Sequence, residues 1–422
     1  MTAAVVTDQA IALAPGVHWI GALDPHLRNF DLILKTANGT SYNAYVVRGD
    51  HGVAIIDTVK ESFSAGFFRR LESVARYDEI TTIVLNHLEP DHSGALPELL
   101  RRAPQARVYL SSRAQMMLKA LLKPSGEKPP AYVPVTTGDT VDLGGRTLHF
   151  LHTPYLHWPD TQCTYLVEEG MLFSGDIFGC HFCDARLFND RVGDFRFSFE
   201  YYYAHLMRPF REHVLDALAL IEPLEITTVA PAHGPILRHQ PRDYLRRYRD
   251  LATPRLYNEA RSEKTLLVFY LSAYGNTRQM AEAVVNGAET VDGVRVSLYD
   301  LEGGDPDAFI DLIEEADGLV IGSPTINGDA VKLVWDLLSS LTSVNVKGKL
   351  GAAFGSYGWS GEAVRLMEDR LRGLKLRIPV DGLRIKLVPD SKELQQCHEL
   401  GHELGLHLTG QAKPREIDMS TL

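Results

Sequence analysis

The 422-residue sequence predicts a two-domain α/β protein. Three observations carry that expectation. The chain is too long for one ordinary hydrophobic core. Its first half is a run of short apolar strands with metal-ligand residue types at their ends. From Thr265 onward, single apolar strands alternate with amphipathic helices, the pattern of a doubly wound parallel sheet. Hydrophobic residues make up 45% of the chain and charged residues 23%, which fits a globular protein. A net charge of −11 argues against nucleic acid or an anionic membrane as the main partner. No apolar run reaches membrane-spanning length. Residues 1–16 lack the basic and apolar regions of a secretory signal, so a cytoplasmic location is expected.

From Val17 to Glu169 the sequence reads as strands and turns. Tyr42–Val47 and Gly52–Asp57 flank Arg48-Gly49-Asp50-His51 as a hairpin. Glu61–Arg76 has helical spacing, with Phe67, Phe68, Leu71 and Val74 on one face. Thr81–Leu85 is a buried strand that delivers Asn86-His87-Leu88-Glu89-Pro90-Asp91-His92. A helix follows Ser93 and ends near Arg102; Ala106–Leu110 is a strand; Lys123–Pro134, with four prolines, is loop; and Thr147–Leu151 is a strand after Gly144-Gly145. A charged helix spans Arg242–Leu251.

His87, Glu89, Asp91 and His92 put two imidazoles and two carboxylates within six residues on a loop that a strand can aim. Four such groups so close suggest more than one metal ion. Three more ligand types end apolar strands: His157 in Thr153–Asp160, Asp176 after Leu172-Phe173-Ser174-Gly175, and His233 in Val229–Gly234. The order and spacing resemble the metallo-β-lactamase fold, an αββα sandwich with metals at one edge. Glu89 stands where the zinc hydrolases of that fold carry a histidine. Glu89, Asp91 and Asp176 then supply three of the four negative charges that two divalent ions need. The Glu also hardens the site toward iron, and zinc has no redox chemistry. On that resemblance His87, Glu89 and His157 hold one iron, Asp91, His92 and His233 the other, and Asp176 bridges them.

In the second domain Thr265–Leu271 is a buried strand running into Ser272-Ala273-Tyr274-Gly275-Asn276-Thr277 and a helix. Hydroxyls and backbone N–H groups ahead of a helix N-terminus make an anion site. Alternation continues through Val294–Tyr299, Phe309–Glu315, Gly318–Gly322, Val331–Leu341, Leu350–Gly355 and Gly361–Leu371. It ends with Arg384–Pro389 and a helix through Cys397 to Leu408. Two further loops end strands: Ser323-Pro324-Thr325-Ile326-Asn327-Gly328 and Gly355-Ser356-Tyr357-Gly358-Trp359-Ser360-Gly361. The three loops resemble those with which flavodoxin holds FMN. No GxGxxG with a later acidic residue marks a dinucleotide site. The expected layout is residues 1–255 for the metal domain, 256–263 for a linker, 264–410 for the flavodoxin-like FMN domain and 411–422 for a tail.

The two domains in this order, with LHWPD, FSGD, PAHGP, SAYGNT, SPT and GSYGWSG, resemble the flavodiiron protein family over nearly the whole chain. In that family FMN passes electrons to a di-iron centre that reduces dioxygen to water or nitric oxide to nitrous oxide. Two chains there pair head to tail, so a homodimer, or a homotetramer built from it, is implied. The sequence has no pair of CxxC motifs for a rubredoxin module, so the resemblance implies an external rubredoxin-type donor. Many members carry a histidine after an N-terminal Arg-x-Phe; here Arg28-Asn29-Phe30 is followed by Asp31, an anion in place of a donor. His181 and Tyr203 are candidates for packing around the centre. Cys180 and Cys183 form a lone CxxC, read as core or loop cysteines. The competing readings are a zinc hydrolase fused to a flavodoxin-like module, which Glu89 opposes, and an electron carrier with a decayed metal site, which the full ligand set opposes.

Overall fold

The computed structural model describes residues 9–30, 34–123, 131–253, 263–302 and 309–412. The chain divides into two compact units between residues 254 and 255. The expected linker falls almost wholly, and the tail mostly, outside the described residues, as does Asp31.

The first unit holds two mixed sheets. One has seven strands in the order Ile11–Ala14, Val17–Trp19, Tyr45–Arg48, Val53–Ile56, Ile80–Val84, Arg107–Ser111 and Tyr132–Val135. The other has five: Thr140–Asp142, Thr147–His152, Gln162–Leu166, Met171–Gly175 and Thr228–Pro231. Period-2 alternation assigns each strand's side chains to two cores. Tyr45, Val47, Ala54, Ile56 and Val84 pack with Leu148, Phe150, Leu166 and Phe173 between the sheets. Val46, Ile55, Ile83, Leu151 and Leu172 face the opposite way, toward helices that include Ser64–Glu72, Leu96–Arg102, Arg211–Ile221 and Pro241–Ala252. Burial on both faces explains why these strands read as continuous apolar runs. The layers are those of the expected αββα sandwich.

Several local expectations need correction. The hairpin Tyr45–Arg48 with Val53–Ile56 forms, with Tyr45 opposite Ile56. However, Thr40–Tyr42 leaves it to pair with Ala22–Asp24 in a separate ribbon. Tyr132–Val135, assigned to loop for its prolines, is a strand parallel to Arg107–Ser111. It is a sheet edge, where Pro134 need not donate to a further neighbour. Residues 124–130 lie outside the described set. The helix expected after Ser93 forms over Leu96–Arg102, and a separate helical turn over Pro90–Ser93 precedes it. Pro90 sits at its first position, where a fixed φ and a missing N–H cost nothing.

In the second unit five parallel strands run in the order Val294–Asp300, Lys264–Tyr270, Gly318–Gly322, Leu350–Tyr357, Leu383–Lys386. That is the 2-1-3-4-5 order of flavodoxin-like sheets. Leu266, Val268 and Tyr270 pack on one face with the helices Asn276–Ala288 and Ser391–Thr409, while Leu267 and Phe269 face the other side. The fourth strand continues through Gly355 to Tyr357, residues expected in a loop; Gly355, Ser356 and Tyr357 pair in register with the edge strand. Among the described residues no helix is long and apolar enough to cross a membrane.

Asn276–Ala288 and Ser391–Thr409 approach so closely that a Cβ on Gly287 would lie 1.9 Å from the His398 carbonyl oxygen. Helix propensity alone favours Gly287→Ala by about 1 kcal/mol; overpacking costs about 1–3 kcal/mol. Gly287→Ala is therefore expected to lower the stability of the full chain in urea unfolding. A gain in stability would show that the helix pair yields at no cost.

Candidate functional site

The cluster is assembled from the ends of strands in both sheets of the first unit. Asn86 fixes the entry to the first ligand loop. Its N–H donates to Asp57 Oδ1 (2.7 Å) and its Nδ2 to the Phe173 carbonyl (3.3 Å). Its Oδ1 accepts from Thr164 Oγ1 (2.7 Å), and its carbonyl accepts from Gln162 N (3.0 Å). One residue of the seven-stranded sheet's loop is thereby pinned to two strands of the other sheet. Burial pushes the Asp57 carboxyl up to about 6, with the charge of His92 and the Asn86 N–H pulling the other way.

The seven expected ligand residues converge. His87, Glu89, His157 and Asp176 form one group, and Asp91, His92 and His233 a second; within each, the ligand atoms lie within 4.8 Å of one another. Glu89 Oε2 is 3.1 Å from both His87 Nε2 and His157 Nε2. Asp176 Oδ2 is 3.6 Å from the same two nitrogens. Asp176 Oδ1 instead faces His92 Nε2 (3.3 Å) and His233 Nε2 (3.6 Å). Those two nitrogens lie 3.3 and 3.1 Å from Asp91 Oδ1 and Oδ2. Donor atoms about 2.1 Å from a shared ion, at angles of about 90–120°, stand roughly 3.0–3.6 Å apart, so these spacings suit one ion per group.

The chemistry of the donors fits the same reading. Both oxygens of Asp91, both of Asp176 and both ring nitrogens of His92 are buried without a hydrogen-bond partner. Orphaned buried polar atoms are costly unless something else satisfies them. The local field favours positive charge. Burial lowers His92, yet Asp91 and Asp176 bring its imidazole up to about 9. His87 is also raised against burial, by Asp160, Glu89 and Asp176. Asp176 is held well below the usual carboxylate range against its own burial, by His92, His87 and His233. A field that attracts protons to ring nitrogens also attracts divalent cations.

The outer nitrogens are positioned separately. His233 Nδ1 lies 2.6 Å from the Ser41 carbonyl, which can only accept, so Nδ1 carries the proton and Nε2 is free to coordinate. His87 Nδ1 lies 3.1 Å from Asp160 Oδ2. The Pro231–Gly234 turn is clamped by Asn43: Nδ2 donates to the Pro231 (2.8 Å) and Gly234 (3.0 Å) carbonyls, and Oδ1 accepts from Trp19 Nε1 (2.9 Å). Gly234 sits at φ +78°, and a Cβ there would lie 2.6 Å from Cys180, which is why this turn takes glycine.

Sequence reasoning missed Asn43, Asp57 and Asn86 as supports, because nothing in their spacing marks them. It read Tyr203 as packing and passed over Tyr202. Tyr203 packs on Tyr248 (ring centroids 5.0 Å), whereas Tyr202 packs on His181 (5.0 Å) and near His233 (6.2 Å). Burial and the charge of Asp176 hold the Tyr202 hydroxyl well above 10, so it stays protonated. His181 is buried, stacks on Phe30 at 4.3 Å, bonds Thr40 Oγ1 through Nδ1 (3.0 Å) and has an unpartnered Nε2. Burial and the charge of His233 keep it neutral.

In the second unit the three expected loops gather at the carboxyl ends of adjacent parallel strands. Gly275, at φ +84°, opens the helix Asn276–Ala288 without a side-chain cap of its own. Ser272 Oγ reaches the Arg278 N–H at 3.3 Å, which leaves the first-turn N–H groups of Asn276 and Thr277 for an anion. Thr277 Oγ1 and Ser356 Oγ are 2.9 Å apart, and Thr325 N donates to the Ser356 carbonyl (2.8 Å). Ser323 Oγ donates to the Pro324 carbonyl (2.9 Å) and accepts from Val331 N (3.2 Å). A Cβ on Gly355 would lie 2.2 Å from the Ser323 carbonyl, so these loops lie flush only with glycine there. Ala273, Asn327 and Ile326 are exposed, and Gly358 and Gly361 flank Trp359. Tyr274 and Trp359 stand 92% and 82% exposed, large flat surfaces such as an isoalloxazine ring would cover.

An αββα sandwich with a two-ion ligand cluster, joined in one chain to a flavodoxin-like sheet, defines a flavoprotein oxidoreductase with a dinuclear metal domain. Comparison with known proteins agrees. Residues 40–234 match the ODP family beta lactamase model, and residues 268–401 match the flavodoxin model. The type A flavoprotein fprA of Rhodobacter capsulatus is 63% identical over 412 residues, covering 98% of this chain and 94% of that protein. A nitric oxide reductase of Moorella thermoacetica is 34% identical, covering 95% and 99%. The rubredoxin oxygen:oxidoreductase structure from Desulfovibrio gigas superposes with a TM-score of 0.66 at 28% identity, covering 96% and 99%. The chain belongs to the flavodiiron, or type A flavoprotein, family of oxidoreductases.

Two outcomes follow from the site's supports. Asn43→Leu keeps the volume but strands three partners, and each unsatisfied buried group costs about 1–3 kcal/mol. Metal analysis of that variant is expected to give less bound metal per chain with flavin retained; full metal content would remove Asn43 from the scaffold of His233. The four cysteines are free, and burial raises the thiols of Cys163, Cys183 and Cys397 to about 12 and that of Cys180 higher still. Thiolates are the reactive form. Iodoacetamide at mildly alkaline pH should therefore modify the native protein slowly and the urea-unfolded protein quickly. Rapid native labelling of Cys180 or Cys183 would instead point to a reactive thiol in that pair.

Proposed function

We propose that this protein passes electrons from an external rubredoxin-type donor through FMN to a di-iron centre that reduces O2 to water, NO to N2O, or both. The observation that carries this reading is Asp176, one oxygen of which faces each ligand group. His87, Glu89, His157 and Asp176 Oδ2 would hold one iron, and Asp91, His92, His233 and Asp176 Oδ1 the other. Ser272–Thr277 would take the FMN phosphate, with Ser323–Asn327 and Gly355–Gly361 along the ring. When bound, the irons supply redox-active coordination positions for the gas and the flavin supplies electrons to them.

The chain's own residues do the rest. Buried carboxylates and imidazoles fix the ligand geometry before metal arrives, so little reorganisation accompanies reaction. Phe30, Tyr42 and Tyr202 ring His233 and exclude water on that side. Tyr202 keeps its proton and His181 stays neutral, so each retains an N–H or O–H donor beside the cluster without adding charge.

The apolar rim of the second unit supports a covering partner. Tyr274, Trp359, Ile326, Leu387 and Val388 are exposed around or after the three loops, and Leu387 N is bonded to the Tyr357 carbonyl. A second copy arranged head to tail would cover such a surface and bring its metal unit to the flavin, with two such dimers giving a tetramer. The domain limits that go with this reading are 1–255 and 264–410, in a cytoplasmic protein.

The test is metal and flavin analysis of protein purified without oxygen, then O2 and NO consumption with reduced rubredoxin. About two irons and one FMN per chain are expected, with Asp176→Ala losing iron and at least ~100-fold in gas consumption, on the scale of losing a metal-site group. The ratio of the two rates names the physiological substrate. Zinc retained by cells supplied with iron, or an iron-loaded chain that consumes neither gas, would sink the reading and favour the hydrolase.

A further inference from the structure

We infer that Asp160 is a positioning residue that sets the tautomer of His87 and puts a hydrogen-bonded carboxylate behind a ligand ring in only one of the two ligand groups. The inference rests on the di-iron reading above and goes beyond it by making the two metal positions unequal.

Asp160 is fully buried in the loop that also carries His157. Its Oδ2 lies 3.1 Å from His87 Nδ1 and accepts the Leu88 N–H at 2.8 Å. Its carbonyl accepts from Ser111 Oγ at 2.7 Å, so the carboxylate is held from the backbone side as well. Its other oxygen has no hydrogen-bond partner, so its interactions converge on the His87 loop. Two N–H groups on one oxygen is the arrangement an acceptor-only carboxylate offers. His87 must then donate through Nδ1 and present Nε2 to the metal. Trp158 packs edge-on against the same ring at 5.0 Å and limits its rotation.

The second group has no such backing. His233 Nδ1 rests on a neutral backbone carbonyl, and His92 Nδ1 has no hydrogen-bond partner. Among the described residues no other carboxylate hydrogen-bonds the outer nitrogen of a candidate ligand histidine. Each group has one terminal carboxylate, Glu89 or Asp91, and one oxygen of Asp176. Asp57, the other buried carboxyl in the field of these rings, accepts from the Asn86 N–H and bonds no ligand ring, so the hydrogen bond between Asp160 and the outer nitrogen of His87 is what makes the two groups unequal. A carboxylate behind a ligand imidazole makes that imidazole a stronger donor, which stabilises the higher oxidation state of the ion it holds. The ion at His87, Glu89 and His157 is then the second of the pair to accept an electron.

Asp160→Asn tests this, because the amide keeps the shape and an acceptor for His87 Nδ1–H and loses the charge. The anaerobic iron-loaded protein is titrated with reductant while the mixed-valence EPR signal and iron content are followed. The expected result is parental iron and flavin content, a rise in the potential of the second reduction step only, and a smaller maximum of the mixed-valence signal as the two steps close up. A rise in the first step, which widens the gap, would overturn the assignment; so would equal shifts of both steps, or none. If the variant fails to fold or loses iron, the parental protein loaded with zinc gives a second readout. Proton NMR should show one strongly downfield ring N–H assigned to His87 Nδ1, and its absence would overturn the Asp160 hydrogen bond. Parental protein that takes up no iron would instead defeat the di-iron reading itself.

Discussion

The fold of the first unit is arranged around a cost. Asp176, Asp91 and Glu89 are almost completely withdrawn from water, and buried carboxylates must be neutralised. Four histidines do part of that work, through ring nitrogens 3.1–3.6 Å from the carboxylate oxygens. The remaining demand is for cations. Strand ends suit this task because a strand fixes its last residue to the rest of a sheet, and two sheets packed face to face can deliver donors from both sides. Asn86 concentrates that scheme in one residue: hydrogen bonds from its side chain and backbone lock the first ligand loop to the strands Gln162–Leu166 and Met171–Gly175. Asp176 follows directly on the second of those strands.

The second unit solves a different problem, how to hold a planar group with backbone. Parallel strands all end on the same side, and the order 2-1-3-4-5 opens a crevice beside the first strand. Ser272–Thr277 and Ser323–Asn327 follow the two strands that border it. Glycine at 355 lets the chain pass against the Ser323 carbonyl, so two loops present one continuous rim. Tyr274 and Trp359 remain in solvent, a poor use of large rings unless something covers them.

The sequence displayed the chemistry more fully than the scaffold. All seven ligand-type residues were visible, because each stands at the end of an apolar run and four of them share six positions. The alternation of strands and helices after Thr265 was visible for the same reason, a switch of hydrophobic period. Tyr132–Val135 was not, because proline signals a loop in a sequence and only a sheet edge excuses it. Tyr202 was not, because Tyr201, Tyr202 and Tyr203 stand in succession and point in directions that only packing distinguishes. Asn43, Asp57 and Asn86 act through hydrogen bonds to residues 24 to 191 positions away, and no local pattern encodes a partner at that range.

Asp160 shows what such long-range bonds can add. As a sequence feature it is the last letter of LHWPD, close to His157, and proximity alone would assign it to His157. The fold instead carries its carboxylate to His87, 73 positions away. A ligand set read from sequence is symmetric in kind: each group has one carboxylate, two histidines and half of Asp176. The hydrogen bonds behind the histidines are not symmetric. A carboxylate, a peptide carbonyl and no partner at all make three different imidazole donors from one residue type. Two ions bound by the same residue types would therefore differ in electron affinity because of residues that touch neither of them. For a centre that, on the proposed function, would receive electrons singly and deliver them together, an order of reduction set by the protein would be more useful than two equivalent positions.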